Sequence, residues 1–531
     1  MSNNNTFKKV GIASFIMMAS VFASRFIGIF REMTIGGMGG IEAQVDAYQI
    51  AFVIPEILNH VAASGFLSIT FIPIFTYYLS RDQTIKGYAV FSNIINCFGM
   101  ILLCLILVCM IWTPQLIRII APGIENPTTF SMAVKMTRII MPAQFFFFCG
   151  GLFMAVQFAN EKFLIPAFAP LIYNLSIIFG GLFLGPIIGM EGFAWGALIG
   201  AFLGNFLCQF WGANKAGLRY CLIFDVTHPD FLKYLKLTLP LMLGLTMTFS
   251  TEVLFKFFGS FLLPGSIAAM NYALRIMFIP VGLFGQAIGV ASYPYLAKLA
   301  EKNQYSELNR LLNTTLKFIF LVLPISTLFM ALSPEIVMIL FQRGAFDAAA
   351  TAFTAGILPF FMVGAFAFSA QNIVSRGFYA ARNTLFPAIF TSLCVIITLP
   401  FIYFPMKIWG AKGVALGLSF AVMVQSFTLF ECWNQRKKNP EKKDVYLFFL
   451  KIIPVSLIIG AILYSSVFGL RRIGSEGTFC QAWITCFIAG FEFLILFFLS
   501  GRLLNIQEIQ ILFNNIFGRI FPWIKKSNAS Q

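Results

Sequence analysis

The chain is a near-continuous succession of apolar stretches, each about as long as a membrane is thick. Fourteen can be drawn, roughly 9–36, 43–79, 87–113, 129–158, 164–184, 190–213, 232–262, 266–299, 308–332, 347–381, 384–405, 409–433, 446–470 and 478–501. A helical span needs about 20 mostly apolar residues, and in lipid every backbone polar group must bond within its own segment, so such stretches cross as helices. Composition agrees. Hydrophobic residues are 59% and charged residues 11% of the chain, against about 25% charged in an average soluble domain. With 65 Phe, 15 Tyr and 7 Trp, disorder is excluded as well. The expected fold is an all-α polytopic membrane protein of about 14 transmembrane helices, with no room for a large soluble domain. The first stretch runs past Ile35, too long for the apolar region of a signal peptide, and is expected to remain as a span.

Charge placement sets the expected orientation. With the N-terminus inside, 25 of the 37 Lys and Arg fall on the cytoplasmic side, among them Lys215, Arg219, Lys233, Lys236 and the Arg436–Lys443 cluster. Six fall outside: Arg118, Arg343, Lys407, Lys412, Arg471 and Arg472. This positive-inside bias predicts both termini in the cytoplasm of a cell whose inner membrane holds the protein. It also accounts for the net charge of +16 without nucleic acid, which would need a basic face on a soluble module.

The sequence repeats itself. Phe158-Ala159-x4-Leu164-x-Pro166-Ala167 recurs as Tyr379-Ala380-x4-Leu385-x-Pro387-Ala388, and Gly189-x-x-Gly192-x-Ala194-x-Gly196 as Gly410-x-x-Gly413-x-Ala415-x-Gly417, both 221 residues on. Stretches 1–6 and 7–12 therefore read as two copies. Six is even, so the copies run the same way through the membrane: two parallel six-helix repeats plus two extra C-terminal helices, a transporter plan with its cavity between the halves. The expected parts are an N-terminal lobe (1–222), a C-terminal lobe (223–440), helices 13–14 (441–503) and an amphipathic cytoplasmic tail (504–531) that ends in Trp523, Lys525 and Lys526. Pro114–Gly123 and Pro334–Gly344 read as short helices between spans. Pro55, Gly65 and Pro280 interrupt spans two and eight.

Six basic residues lie inside spans: Arg25, Arg31, Lys135, Arg138, Lys256 and Arg275. Each costs about 2.5–3.5 kcal/mol at a helix centre. Lys135 and Arg138 are near a span end and are expected to snorkel. Arg25, Arg31 and Arg275 are deeper and are expected to line an aqueous cavity. An ion pair such as Arg25 with Glu32 is the alternative. Glu252 and Lys256 have the i, i+4 spacing of a structural helical pair, with ion coupling or gating as the other reading. His60, beside Asn59, reads as a hydrogen-bonded structural histidine. The ten cysteines have no C-x-x-C and no metal-ligand spacing, and no nucleotide, protease or glycosyltransferase signature is present. No enzyme, cofactor or metal site is expected.

Ser24-Arg25-Phe26-Ile27-Gly28-Ile29-Phe30-Arg31-Glu32, Asp46-Ala47-Tyr48, Ile54-Pro55 and Phe71-Ile72-Pro73 together resemble the first two helices of the MurJ/MviN lipid II flippases, in the multidrug/oligosaccharidyl-lipid/polysaccharide exporter superfamily. The likeness continues through Pro166-Ala167-x-Ala169-Pro170-x3-Asn174, Leu340–Asp347 and Ser375-Arg376-x-Phe378-Tyr379-Ala380. It implies fourteen helices, the last two forming a groove for a lipid tail, in a monomer. It implies that Arg25, Arg31, Arg275 and Asp46 meet the diphosphate-sugar head group of a polyprenyl glycolipid. The chain departs from that family's pattern at Pro55-Glu56, Asn59-His60, Ser64-Gly65 and Leu274. Glu56 joins Glu252 and Lys256 as a candidate gating or ion-coupling residue. The expected function is flipping of the undecaprenyl-diphosphate-linked peptidoglycan precursor by alternating access, with export of another polyprenyl-linked oligosaccharide as the alternative. A drug antiporter would want an acidic cavity, and a membrane glycosyltransferase a large outer loop.

Overall fold

The structure, a computed structural model, describes residues 2–60, 66–246, 250–383, 385–473 and 478–520, with side chains described throughout these ranges except at 2–15, 66–69, 239–250, 287 and 515–520. Among the described residues the regular structure is helix alone. Ten helices are long and apolar enough to cross a membrane, or eleven if Ala348–Met362 and Ala365–Ala380, bent by 45° at their junction, form one span. The three other expected spans are those that carry charges or breaks. The first holds Arg25, Arg31 and Glu32 within one membrane length, and the second and seventh are divided into shorter helices.

The chain divides into two compact units. The first, Met1–Ala268 with Arg343–Phe346, contains α1 (Ser2–Gly39), α2 (Ala43–Ala51), α3 (Val53–Leu58), α4 (Phe66–Leu79), α5 (Thr84–Ile111), α6 (Thr113–Ile120), α7 (Pro127–Ile140), α8 (Ala143–Ala159), α9 (Leu164–Phe179), α10 (Gly185–Ile188), α11 (Glu191–Gly200), α12 (Cys208–Lys215), α13 (Pro229–Thr246) and α14 (Ser250–Gly259). Two π-helical segments, Gly180–Leu184 and Ala201–Leu207, join α9 to α10 and α11 to α12. The boundary falls in the first turn of α15 (Ser266–Pro280), whereas the expected lobe boundary lies at 222.

The second unit, Ala269–Gln342 with Asp347–Gln531, continues with α16 (Ala287–Glu301), α17 (Tyr305–Phe320), α18 (Val322–Ala331), α19 (Ser333–Phe341), α20 (Ala348–Met362), α21 (Ala365–Ala380), α22 (Leu385–Trp409), α23 (Ala411–Arg436), α24 (Lys442–Ile473), α25 (Phe479–Leu503) and α26 (Gln507–Ile520). The two short helices expected between spans are α6 and α19. Pro280 ends α15, where the chain passes into a π-helical turn, Val281–Gln286. Pro55 falls in the first turn of α3, where its missing N–H has no partner to lose. The break in span two is the non-helical Phe52 before it. Gly65 lies outside the described residues, as do Trp523, Lys525 and Lys526 of the tail.

The repeated glycines have a packing role. A Cβ on Gly196 of α11 would sit 2.6 Å from Ser176 O and 2.9 Å from Ile177 Cα of α9. A Cβ on Gly417 of α23 would sit 2.6 Å from Ile402 Cα of α22. Helices approach this closely in lipid because small residues leave no side chain between the backbones. Turns recur with the same separation. Four pairs of positive-φ residues, Asp82 with Asn303, Glu161 with Arg382, Gly189 with Gly410 and Gly217 with Lys438, are each 221 residues apart. So are the first residues of α7 and α20, the first of α9 and α22, and the last of α12 and α23. Gly196→Val and Gly417→Val should each overpack their helix pair by about 1–3 kcal/mol. Both should lower the melting temperature of purified protein, whereas valine at Gly490, which has open space around it, should not.

Candidate functional site

Arg31 is the best-embedded of the predicted cations for which contacts are resolved. It sits on α1, which packs along α9. Its Nη2 donates to Glu32 Oε1 at 2.7 Å and its Nη1 to Asn174 Oδ1 at 3.0 Å. Asn174, on α9, is itself oriented by donating to Ser24 Oγ at 3.1 Å and to Pro170 O at 3.0 Å. Ser20 Oγ also bonds Ala167 O, so α1 and α9 are joined by polar contacts over several turns. The Arg31 Nε is buried and, among the described residues, has no acceptor. Tyr48 of α2 and Tyr173 of α9 are within electrostatic reach of Arg31, and both also feel Glu56.

This corrects the expected pairing of Arg25 with Glu32: the adjacent Arg31 takes that carboxylate. Successive residues on a helix normally point apart, and here the long arginine side chain folds back to reach its neighbour. Glu32 and Asn174, both buried, are the partners that residue spacing did not single out. The one sequence signal for Asn174 is an amide in an otherwise apolar span. Arg25, two helical turns before Glu32, is exposed on α1 between Phe22 and Phe26. Arg275 lies in the second unit, half-buried on α15 between the buried Leu274 and Ile276.

Asp46, expected among substrate-binding residues, has both oxygens engaged. Oδ2 accepts from Gly265 N at 2.6 Å and Oδ1 from Ala268 N at 2.7 Å. The first N–H groups of a helix lack intrahelical acceptors. Asp46 supplies them for α15 from a distant helix, as a capping side chain would. Gly265 holds φ at +89°, and the backbone of Ile41 occupies the place its Cβ would take. Asp46→Ala strands two N–H groups and should destabilise by about 2–5 kcal/mol in total, from about 1–3 kcal/mol for each unsatisfied group. Thermal unfolding in detergent measures it, and Asp46→Asn, which keeps one acceptor, should lose about half as much.

Lys256, on α14, is only 3% exposed. Its Nζ lies 3.9 Å from Glu56 Oε2 of α3. Glu56 thus meets a lysine of span seven, where a span arginine such as Arg25 was expected. Glu252 is half-buried one turn before Lys256, and His60 is within its electrostatic reach. The snorkelling pair is also anchored. Lys135 bonds Glu191 at 2.7 Å, and Arg138 Nε donates to Met110 O at 3.0 Å. All ten cysteines are free, and among the described residues no group of three or more His, Cys, Asp or Glu could hold a metal. Removing one partner from a buried ion pair strands the other charge. Lys256→Met and Glu56→Gln should therefore each destabilise more than the double variant does. A double-mutant cycle on melting temperature should give a coupling of about 0.5–3 kcal/mol, and zero coupling would deny the pair.

The chain was compared with known proteins. A family model described as lipid II flippase MurJ matches residues 38–476. A probable lipid II flippase MurJ of Buchnera aphidicola subsp. Acyrthosiphon pisum is 27% identical over 501 residues, which are 93% of this chain and 97% of that protein. The lipid II flippase MurJ of Burkholderia cenocepacia is 25% identical over 450 residues, 83% of this chain and 87% of that protein. A solved lipid II flippase MurJ in an inward closed conformation superposes with a TM-score of 0.76 and 26% identity, over 92% of this chain and 99% of that one. An inward-facing multidrug resistance transporter of the MATE family superposes with a TM-score of 0.65 at 14% identity, over 78% and 94%, a likeness of fold alone. With helices, glycine seams and arginine-bearing first helix as described, and with the family model covering most of its length, the chain belongs to the lipid II flippase MurJ family.

Proposed function

We propose that this protein flips lipid II, the polyprenyl-diphosphate-linked peptidoglycan precursor, from the inner to the outer leaflet of a bacterial cytoplasmic membrane by alternating access. The observation that carries the reading is Arg31, a guanidinium set in a membrane helix and held in place by Glu32 and Asn174. A guanidinium suits bidentate contact with a diphosphate. We assign the head group to Arg25, Arg31 and Arg275. Because Glu32 neutralises Arg31, the attraction for an anionic head group falls first on Arg25 and Arg275. Asp46 acts on transport through its cap on α15. Glu56 and Lys256 offset each other, which leaves the arginines for phosphate and favours lipid II over a less anionic glycolipid.

The architecture proposed is fourteen spans, as two parallel six-helix lobes (1–222 and 223–440), helices 13 and 14 (441–503) as a lipid-tail groove, and a cytoplasmic tail (504–531). The turns, helix ends and glycine seams that recur every 221 residues support the repeat. The bias of Lys and Arg supports cytoplasmic termini. Moving one elementary charge across the membrane is worth about 2.3 kcal/mol per 100 mV, so a net charge carried with the head group lets the membrane potential bias the cycle. Complementation of a cell depleted of its own lipid II flippase tests the proposal. The wild-type chain should restore growth. Arg25→Ala, Arg31→Ala and Arg275→Ala should each reach the membrane at normal level and fail to restore it. Full growth with all three variants would refute the assignment.

A further inference from the structure

Between α12 and α13 the chain leaves helix for residues 216–228, and this connection is bound down along one side of α5. Cys221 N donates to Ser92 Oγ at 3.0 Å. Asn96 Nδ2 donates to Ile223 O at 2.9 Å and accepts from Tyr220 OH at 2.7 Å. Asn93 makes two bonds to the backbone of Asp225: its Nδ2 donates to the carbonyl at 2.7 Å and its Oδ1 accepts from the N–H at 2.6 Å. At the far end, Tyr78 OH donates to Asp230 Oδ2 at 2.6 Å. The chain turns tightly at Leu222, where Ile223 N donates to Cys221 O at 2.9 Å.

With its backbone polar groups turned to α5, the strap presents alternate side chains outward. Tyr220, Leu222, Phe224 and Val226 are all exposed, Leu222 to 87%. Burying a Leu or Phe side chain is worth about 1.5–3 kcal/mol, so four such residues in a row on a water-facing loop would be unfavourable. Their depth is set by α5. That helix has 28 residues, about 42 Å at 1.5 Å per residue, against a hydrocarbon core of about 30 Å. Its outer end is marked by the exposed Trp112 and by α6. Counting about 20 residues back from Ile111 ends the core near Ser92, the level of the strap. The exposed apolar side chains of α5 resume at Met100, just beyond it. Around the strap Lys215, Arg219, Lys233 and Lys236 are exposed, and Lys215 lies over the ring of Trp211 at 3.6 Å. The carboxylate of Asp225 is taken by Thr227, as that of Asp230 is by Tyr78.

We infer that residues 218–226 are an interfacial membrane anchor: Tyr220, Leu222, Phe224 and Val226 seat in the boundary between headgroups and acyl chains, and the surrounding lysines and Arg219 meet the phosphates of anionic phospholipid. An apolar wedge ringed by cations is the chemistry of an interfacial lipid contact. That the leaflet is the inner one rests on the orientation proposed above. The anchor holds the link between α12 and α13 at that surface.

The test places an environment-sensitive coumarin amino acid at position 222, 224 or, as a control beyond the membrane, 83, in the full chain in vesicles of phosphatidylethanolamine and phosphatidylglycerol. At 222 and 224 the emission should shift to the blue. Lipids with a nitroxide near the glycerol should quench it several-fold more strongly than aqueous iodide does, with the reverse at 83. Asn93→Ala, which removes both bonds to Asp225, should reduce lipid quenching at 222 at least twofold. Equal iodide access at 222, 224 and 83 overturns the anchor, as does a label shielded only when a soluble protein is added. Iodide confined to one side of vesicles of known sidedness separates the two claims: strong lipid quenching at 222 on the outer face supports the anchor and refutes the orientation.

Discussion

An ionised side chain inside a membrane is tolerated only where the protein itself provides the partner that water would have been. Much of the helix arrangement within each unit is organised around that requirement. Arg31 draws Glu32 and Asn174 together and so ties α1 to α9. Lys256 faces Glu56 and relates α14 to α3. In the second unit Arg471 clamps Glu335 with two bonds, at 2.6 and 2.8 Å, and adds Ala331 O at 3.0 Å, which fixes the outer end of α24 on α18 and α19. Glu431 accepts from Lys442 and Tyr446 and closes the turn from α23 to α24. The same charges that would bind an anionic substrate therefore also determine which helices pack together.

The apolar remainder packs by a different rule. Lipid is as apolar as leucine, so burial of apolar area drives little helix association in a membrane, and close approach has to come from small residues. Gly196 and Gly417 provide that approach at corresponding places in the two copies. The positive-φ residues mark where each copy turns. Side chains between these fixed points are free to differ. Glu191 pairs with Lys135 in one copy, while the position corresponding to Glu191 in the other is Lys412, a reversed charge packed over Gly356. One backbone plan therefore carries two chemically distinct halves.

Much of this was legible in the residues. The apolar stretches locate the helices because nothing else satisfies a backbone in lipid. The 221-residue offset anticipated turns as fine as Glu161 and Arg382. The arginines stood out because charge is rare in such a composition. Partner choice was less legible. Periodicity places Arg25 and Glu32 two turns apart on one face, yet a long side chain from the adjacent Arg31 takes the carboxylate. Asp46 looked like a substrate contact because an acid beginning a span is conspicuous. That it caps α15, more than two hundred residues on, depends on tertiary structure that no local pattern encodes. The strap on α5 was equally hidden. Ser92, Asn93 and Asn96 read as unremarkable polar residues near a span end until the backbone of 221–225 is laid against them.

The central claim is that a basic set of membrane helices carries lipid II across the bilayer. It is tested most directly by where lipid II resides in living cells. Cells depleted of their own flippase and supplied with this chain would be treated with an external enzyme that cleaves the lipid II head group, and the cleaved fraction measured. The account predicts cleavage close to that of undepleted cells with the wild-type chain, and near the depleted baseline with Arg31→Ala. Lipid II that stays protected while the wild-type chain is abundant in the membrane would contradict it.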